Sequence, residues 1–298
     1  MSRAPWKSLP RWLALAAVLF ACAPEQQFAA LGDLPLENGE VLRNCRIGYR
    51  TFGELDATRS NAVLVTPWAM GTSRDLARQI ASGRLLDAKG RYVVAVDAFA
   101  NGVASSPSNS AAQPADAFPR FSMRDVVEAQ YRLLTRVLGV SRLEAVIGTS
   151  AGGMQVFHWI TAYPEFVRAG VAIAGSPRAS DADRRHWSTA AEEVRHMPRR
   201  ERNLDFERQA GAMAALDVSA PFGGSMERAV AAVRAKLLVI VPERDDVVDP
   251  APATEFARLA RAELVVLDGR CGHRAPSCER DAVRGAIARF LGSGSGSP

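Results

Sequence analysis

One stretch, Leu143-Glu144-Ala145-Val146-Ile147-Gly148-Thr149-Ser150-Ala151-Gly152-Gly153-Met154-Gln155, constrains this chain more than any other. An apolar run of strand character ends in Gly148-x-Ser150-x-Gly152 and passes directly into a segment of helical character that lasts to about Tyr163. This is the nucleophile-elbow pattern: small residues on both sides of a serine let the backbone turn sharply and leave the hydroxyl exposed above a sheet. A chain built around such a turn needs a buried strand before it and a helix after it. It also needs neighbours that supply a base, an acid and a site for negative charge.

The rest of the chain has the matching rhythm. Val41–Phe52 alternates well enough for an opening antiparallel strand or hairpin. Ala62–Thr66 and Tyr92–Val96 are short continuous apolar runs, the signature of strands covered on both faces, and 169–174, 236–241 and Glu263–Leu267 repeat it. Ser122 with Asp125 three residues later marks a helix start, and apolar residues keep helical spacing from there to Gly139. Further helical patterns cover about 254–262 and 279–291. Strands alternating with helices predict an α/β fold with a mostly parallel sheet and helices on both faces. Residues 180–235 break the rhythm, being polar, rich in Arg and Ala and without a strand, and read as a small helical cap. The expected organisation is therefore a core in two parts, 41–179 and 236–291, with the cap between them.

The ends read differently. Residues 1–22 carry a basic start, an apolar stretch too short to span a bilayer, and Leu19-Phe20-Ala21-Cys22, the flanks of an export signal. The segment resembles a bacterial lipoprotein signal, which would make Cys22 the diacylated first residue of the mature chain; cleavage to a freely secreted form is the alternative. Residues 23–40 read as a polar tether and 292–298 as a disordered Gly/Ser tail. A periplasmic or membrane-anchored protein follows, touching the membrane only through that lipid. Arg3, Lys7 and Arg11 in the signal supply three of the five net positive charges. The remaining excess is small and lacks aromatic interleaving, so no nucleic-acid partner is expected. Metal-ligand spacings and a nucleotide-binding glycine pattern are missing as well, so no cofactor is expected.

A serine hydroxyl becomes nucleophilic when a base takes its proton, and the usual base is a histidine held in one tautomer by a carboxylate. With this elbow the chain order is serine, acid, histidine. Of the four histidines, His158, His186 and His196 fall in the elbow helix and the cap, whereas His273 follows the last strand and takes the role of base. Pro242-Glu243-Arg244-Asp245-Asp246-Val247-Val248-Asp249-Pro250 offers three aspartates after the preceding strand. Spacing to the apolar pair and the proline selects Asp245, with Asp246 as runner-up and Asp249 assigned to the turn before the next helix. Two backbone amides are needed for an oxyanion. Ala151, first in its helix, supplies one, and the turn Pro67-Trp68-Ala69-Met70-Gly71-Thr72 supplies the other from Ala69 or Met70.

Gly48-Tyr49-Arg50-Thr51-Phe52-Gly53, Ser60-Asn61-Ala62-Val63-Leu64, Leu85-Leu86-Asp87, Ser105-Ser106-Pro107-Ser108-Asn109, Phe121-Ser122, Arg124-Asp125 and Gly152-Gly153-Met154-Gln155 together resemble the homoserine O-acetyltransferase-like branch of the α/β-hydrolase superfamily. The resemblance implies the α/β-hydrolase fold and a serine that accepts an acyl group, passed on to a hydroxyl in some members and to water in others. Ala151 stands where the acetyltransferases carry methionine, the cap is short, and an exported protein meets little acyl-CoA. The expected function is thus a serine esterase acting on a carboxylic ester through an acyl-enzyme. O-acyl transfer is the second reading and a non-catalytic envelope lipoprotein the third. Cys271 and Cys278 flank His273, either as a disulfide bracing the loop of the base or as free thiols.

Overall fold

The computed structural model describes residues 24–292 with the exception of His196 and Arg199. Residues 1–22, expected from the sequence to be an export signal ending at Cys22, and the tail after Gly292 lie outside the described residues. Eight strands form one sheet: β1 (Gln27–Pro35), β2 (Val41–Phe52), β3 (Ala62–Thr66), β4 (Tyr92–Val96), β5 (Leu143–Thr149), β6 (Ala169–Ile173), β7 (Lys236–Pro242) and β8 (Glu263–Leu267). Their order is β1-β2-β4-β3-β5-β6-β7-β8. The first two pairings are antiparallel and the six strands from β4 to β8 run parallel.

The apolar runs are buried because alternate side chains enter two separate cores. In β3, Ala62 and Leu64 pack on one face while Val63 and Val65 pack on the other; Val94 and Val96 oppose Val93 and Ala95 in β4. Period-two geometry turns an unbroken apolar run into a strand covered twice. Helices α1 (Ser73–Ala81) and α9 (Arg280–Gly292) cover one face through Leu76, Ile80, Val283 and Ile287. Helices α2 (Met123–Arg132), α3 (Ala151–Ala162) and α7 (Ala251–Ala260) cover the other through Val127, Phe157, Trp159 and Phe256. The expected start of α2 is a full capping box, with Ser122 accepting from the Asp125 amide and the Asp125 carboxylate accepting from the Ser122 amide. One π turn, Leu133–Val137, extends that helix toward Gly139.

Two boundaries differ from the sequence reading. Within the stretch read as a tether, Gln27–Pro35 is strand β1, paired along β2 with register shifts on both sides of Gly32. It is an edge strand that buries only Ala29 and Leu34, and its short apolar run Phe28-Ala29-Ala30-Leu31 is cut by Gly32 and Asp33, so no period-two alternation marks it. The second concerns the region between β6 and β7. Helices α4 (Asp181–Arg195) and α5 (Arg200–Ala214) form the cap, whereas α6 (Met226–Ala232) packs with α7 in the helix layer, burying Ala229. The cap is therefore shorter than 180–235. Among the described residues, no helix is long and apolar enough to cross a membrane.

The cap is held by buried polar groups rather than by an apolar seam alone. On α5 the Asp205 carboxylate accepts from the Ser108 amide (2.9 Å) and hydroxyl (2.6 Å), and Arg208 donates to the Phe118 carbonyl (3.1 Å). On α4 the Asp183 carboxylate accepts from the Asp249 amide at 2.9 Å. These bonds tie both cap helices to loops at the carboxyl ends of the parallel strands.

Candidate active site

The elbow forms as its glycines predict. Ser150 has φ 57° and ψ −121°, a conformation costly to a residue with a Cβ, on the order of 1–3 kcal/mol. Its neighbours hold it there: the Ser150 amide donates to the Ile173 carbonyl at 2.8 Å, and its carbonyl accepts from Met154 at 3.0 Å. Gly148 and Gly152 are needed for close approach. A Cβ on Gly148 would overlap the Gly152 carbonyl and the Thr66 hydroxyl, and one on Gly152 would overlap the Thr66 carbonyl. Strand β3 thus presses directly against the turn that carries the serine.

His273 lies in a short 3₁₀ turn, Gly272–Arg274, after β8. Its Nε2 is 2.8 Å from Ser150 Oγ, and its Nδ1 is 2.9 and 2.8 Å from the two carboxylate oxygens of Asp245. A carboxylate only accepts, so the proton belongs on Nδ1, and Nε2 is left to accept from the serine hydroxyl. The Asp245 side chain is 1% exposed, and its Oδ1 also accepts from the amides of Val247 and Val248, both at 2.9 Å. These bonds compensate the burial of the charge and fix its orientation.

The other two aspartates of the loop have different work. Asp246 accepts from the His273 amide at 2.9 Å, and that bond is the main reason its carboxyl is held below the usual range. It positions the backbone of the base rather than the ring. Asp249 accepts from the Ala251 amide at 2.9 Å, at the start of α7.

The structure separates the two candidates for the second oxyanion amide. Met70, at φ 61°, donates its amide to Gln209 Oε1 of α5 at 2.8 Å, so that hydrogen is already committed. Gln209 is 5% exposed and its Nε2 donates to the Phe99 carbonyl at 2.8 Å. Met70 is therefore corrected to a structural contact with the cap. Ala69 has no amide acceptor among the described residues, and it lines the cavity that contains Ser150 and His273. Ala151 sits at the first position of α3, where amides lack intrahelical partners and the helix dipole favours an anion.

That cavity has a volume of about 580 Å³. Trp68, Leu85, Ile173 and Val247 form core-side walls, and Trp187 of α4 with Phe206 of α5 close it from the cap. A larger groove of about 910 Å³ runs between α1 and α9, but no member of the triad lines it. Cys271 and Cys278 are joined in a disulfide that spans the turn of His273. Cys45 is a buried free thiol whose pKa burial pushes up to about 12, which leaves it protonated. Among the described residues, no group of three His, Cys, Asp or Glu is placed to hold a metal ion.

Sequence reasoning missed Gln209 and the cap anchors Asp183 and Asp205. Asp205, Arg208 and Gln209 fall on one helical face, a spacing that marks a polar stripe but not its partners.

The family model of the α/β hydrolase fold matches residues 63–220. An ethyl acetate hydrolase of Pseudomonas veronii is 38% identical over 155 residues, covering 51% of this chain and 44% of that protein. A homoserine O-succinyltransferase of Methylibium petroleiphilum is 37% identical over 166 residues, covering 49% and 42%. The chain thus matches less than half the length of these curated relatives. Among solved structures, the acetyl esterase MekB superposes with a TM-score of 0.83 at 24% identity, over 91% of this chain and 97% of the other. The homoserine O-acetyltransferase of Bacillus anthracis superposes with a TM-score of 0.78 at 20% identity, over 90% and 97%. At these identities the superpositions establish the fold.

Proposed function

Since this chain belongs to the α/β-hydrolase fold family, we propose that it is an exported serine esterase that cleaves a carboxylic ester through an acyl-enzyme. The observation that carries the reading is the unbroken relay from Ser150 Oγ through His273 to the buried Asp245, with both links at 2.8 Å.

In this mechanism Ser150 Oγ attacks the ester carbonyl as His273 Nε2 takes its proton. The carbonyl oxygen becomes an oxyanion held by the amides of Ala151 and Ala69. Collapse breaks the ester bond, His273 returns the proton to the leaving alcohol, and the acyl group stays on Ser150. A water molecule then gives its proton to His273 and attacks the acyl carbon, releasing the acid and restoring the hydroxyl. Asp245 stays ionised throughout, stabilising the imidazolium.

Acyl transfer to an alcohol follows the same path with the acceptor hydroxyl in place of water, and the similarity to homoserine acyltransferases favours it as the second reading. The likeness to an ethyl acetate hydrolase, Ala151 beside the nucleophile and the two-helix cap favour hydrolysis. Export rests on residues 1–22, and a disulfide beside the base suits an oxidising compartment. Lipid attachment at Cys22 is part of the proposal, checked by mass spectrometry of the mature amino terminus; a free amino-terminal residue other than Cys22 would refute it.

A fluorophosphonate probe should label the wild-type chain and spare Ser150→Ala. Turnover of 4-nitrophenyl acetate in plain buffer supports the esterase, whereas an absolute need for an added alcohol would replace it with the transferase.

A further inference from the structure

The mouth of the catalytic cavity has a charge pattern that the triad does not require. Arg84, in the loop after α1, and Arg274 and Arg280, on the segment following His273, all line the cavity that holds Ser150. All three are exposed, and none has a carboxylate or carbonyl partner for its side chain among the described residues. Arg78, Arg184, Arg258 and Arg284, by contrast, each pair with an acid three residues away; what distinguishes Arg84, Arg274 and Arg280 from other unpaired surface arginines is that they share one cavity with Ser150.

Among the described residues that line the cavity, none is an acid. Asp245 is buried behind the imidazole and Asp246 accepts from the His273 backbone; neither lines the cavity. The floor is apolar, with Trp68, Leu85, Ile173 and Val247 around the serine. A low-dielectric floor beneath an unpaired cationic rim concentrates positive potential at the entrance. Guanidinium groups also present paired donors that match the two oxygens of a carboxylate.

We infer that the preferred substrates are esters that carry a carboxylate, with the ester at Ser150 and the carboxylate at the rim formed by Arg84, Arg274 and Arg280. This rests on the esterase reading above. The carboxylate belongs either to the acyl half, as in a dicarboxylic half-ester, or to the alcohol half, and the test separates the two.

The experiment compares kcat/KM for matched pairs. The acyl pair is 4-nitrophenyl hemisuccinate against 4-nitrophenyl methyl succinate; the alcohol pair is 4-acetoxybenzoate against its methyl ester. One anionic ester should exceed its neutral partner on the order of tenfold at low salt, the size expected of one or two rim-exposed charge pairs. The ratio should shrink toward one in about 1 M salt, where the Debye length is about 3 Å. It should also fall when Arg84→Gln, Arg274→Gln and Arg280→Gln are combined in a chain whose thermal midpoint matches wild type.

Succinanilic acid and 4-acetamidobenzoate, amides that resist turnover, give a second readout through the fluorescence of Trp68 and Trp187. One of them should bind more tightly than its neutral primary carboxamide in wild type and not in the triple variant. If neutral esters are turned over but no carboxylate is preferred in either readout, or a preference survives the triple substitution, the inference fails while the esterase stands. If no ester is turned over and Ser150 resists the fluorophosphonate, the esterase reading fails, and the amide titrations alone decide the fate of the anionic rim.

Discussion

Replacing Asp245 with asparagine separates the acid of the triad from its neighbour and carries a large, calculable effect. The two loop amides of Val247 and Val248 fix the orientation of the side chain, since each donates to Oδ1 at 2.9 Å. An asparagine that keeps those bonds turns its Nδ2 hydrogens toward His273 Nδ1, which must then accept. The imidazole proton moves to Nε2, where it faces Ser150 Oγ 2.8 Å away and leaves no lone pair to take the hydroxyl proton. Loss of the correct tautomer in a triad of this geometry costs about 10⁴ in kcat. At about 1.36 kcal/mol per tenfold, that is roughly 5.5 kcal/mol of transition-state stabilisation. Asp246→Asn provides the contrast: an amide oxygen still accepts from the His273 backbone, so the expected loss is within about tenfold, one unit on the same scale. The assay is initial-rate hydrolysis of 4-nitrophenyl acetate, with the rate of fluorophosphonate labelling as a second measure. Thermal midpoints guard against misfolding. A folded Asp245→Asn chain that retains more than about a hundredth of wild-type kcat, or a folded Asp246→Asn chain that falls below about a hundredth, would refute the assignment.

Three further expectations follow from particular contacts. Gln209→Leu strips partners from the Met70 amide and the Phe99 carbonyl, two groups whose burial without bonds costs about 2–4 kcal/mol together; urea unfolding should show the loss, and an unchanged midpoint would remove Gln209 as a cap anchor. Opening the Cys271–Cys278 disulfide by a double Cys→Ser change should cost about 2.5 kcal/mol by loop entropy for a separation of 7 residues, and thiol titration of the unfolded chain should gain two thiols on reduction. Burial, reinforced by the charge of Arg124, pulls the His158 pKa down to about 4. Near pH 6.5 the unfolded chain protonates this histidine first, so stability that is complete above that pH is lost as pH falls toward 4, by roughly 3 kcal/mol. His158→Leu should flatten that part of the pH dependence of unfolding relative to wild type, and parallel curves would show that His158 does not set it.

Much of the site is local in its causes. The glycines at 148 and 152 are required by contacts within the elbow and one adjacent strand, and the apolar runs of β3 to β7 follow from side-chain alternation between two cores. Chain order then selects His273 from four histidines. Strand β1 has an apolar run at Phe28–Leu31 but no alternation: Gly32 and Asp33 interrupt it, the register shifts on both sides of Gly32, and only Ala29 and Leu34 are buried.

By itself the amino-acid sequence determined the strand–turn–helix around Ser150, the alternation that makes the sheet, and the order of serine, acid and base. These depend on periodicity and steric fit over a few residues. Spacing selects Asp245 with Asp246 as runner-up, and the tertiary structure shows Asp245 against the imidazole and Asp246 against the His273 backbone, a distinction that one residue of slip would reverse. The tertiary structure also decided that Cys271 pairs with Cys278, that the Met70 amide belongs to Gln209, 139 residues away, and that three dispersed arginines share one cavity. Such partnerships have no local period: they arise only when the sheet brings distant loops to the same end of its strands.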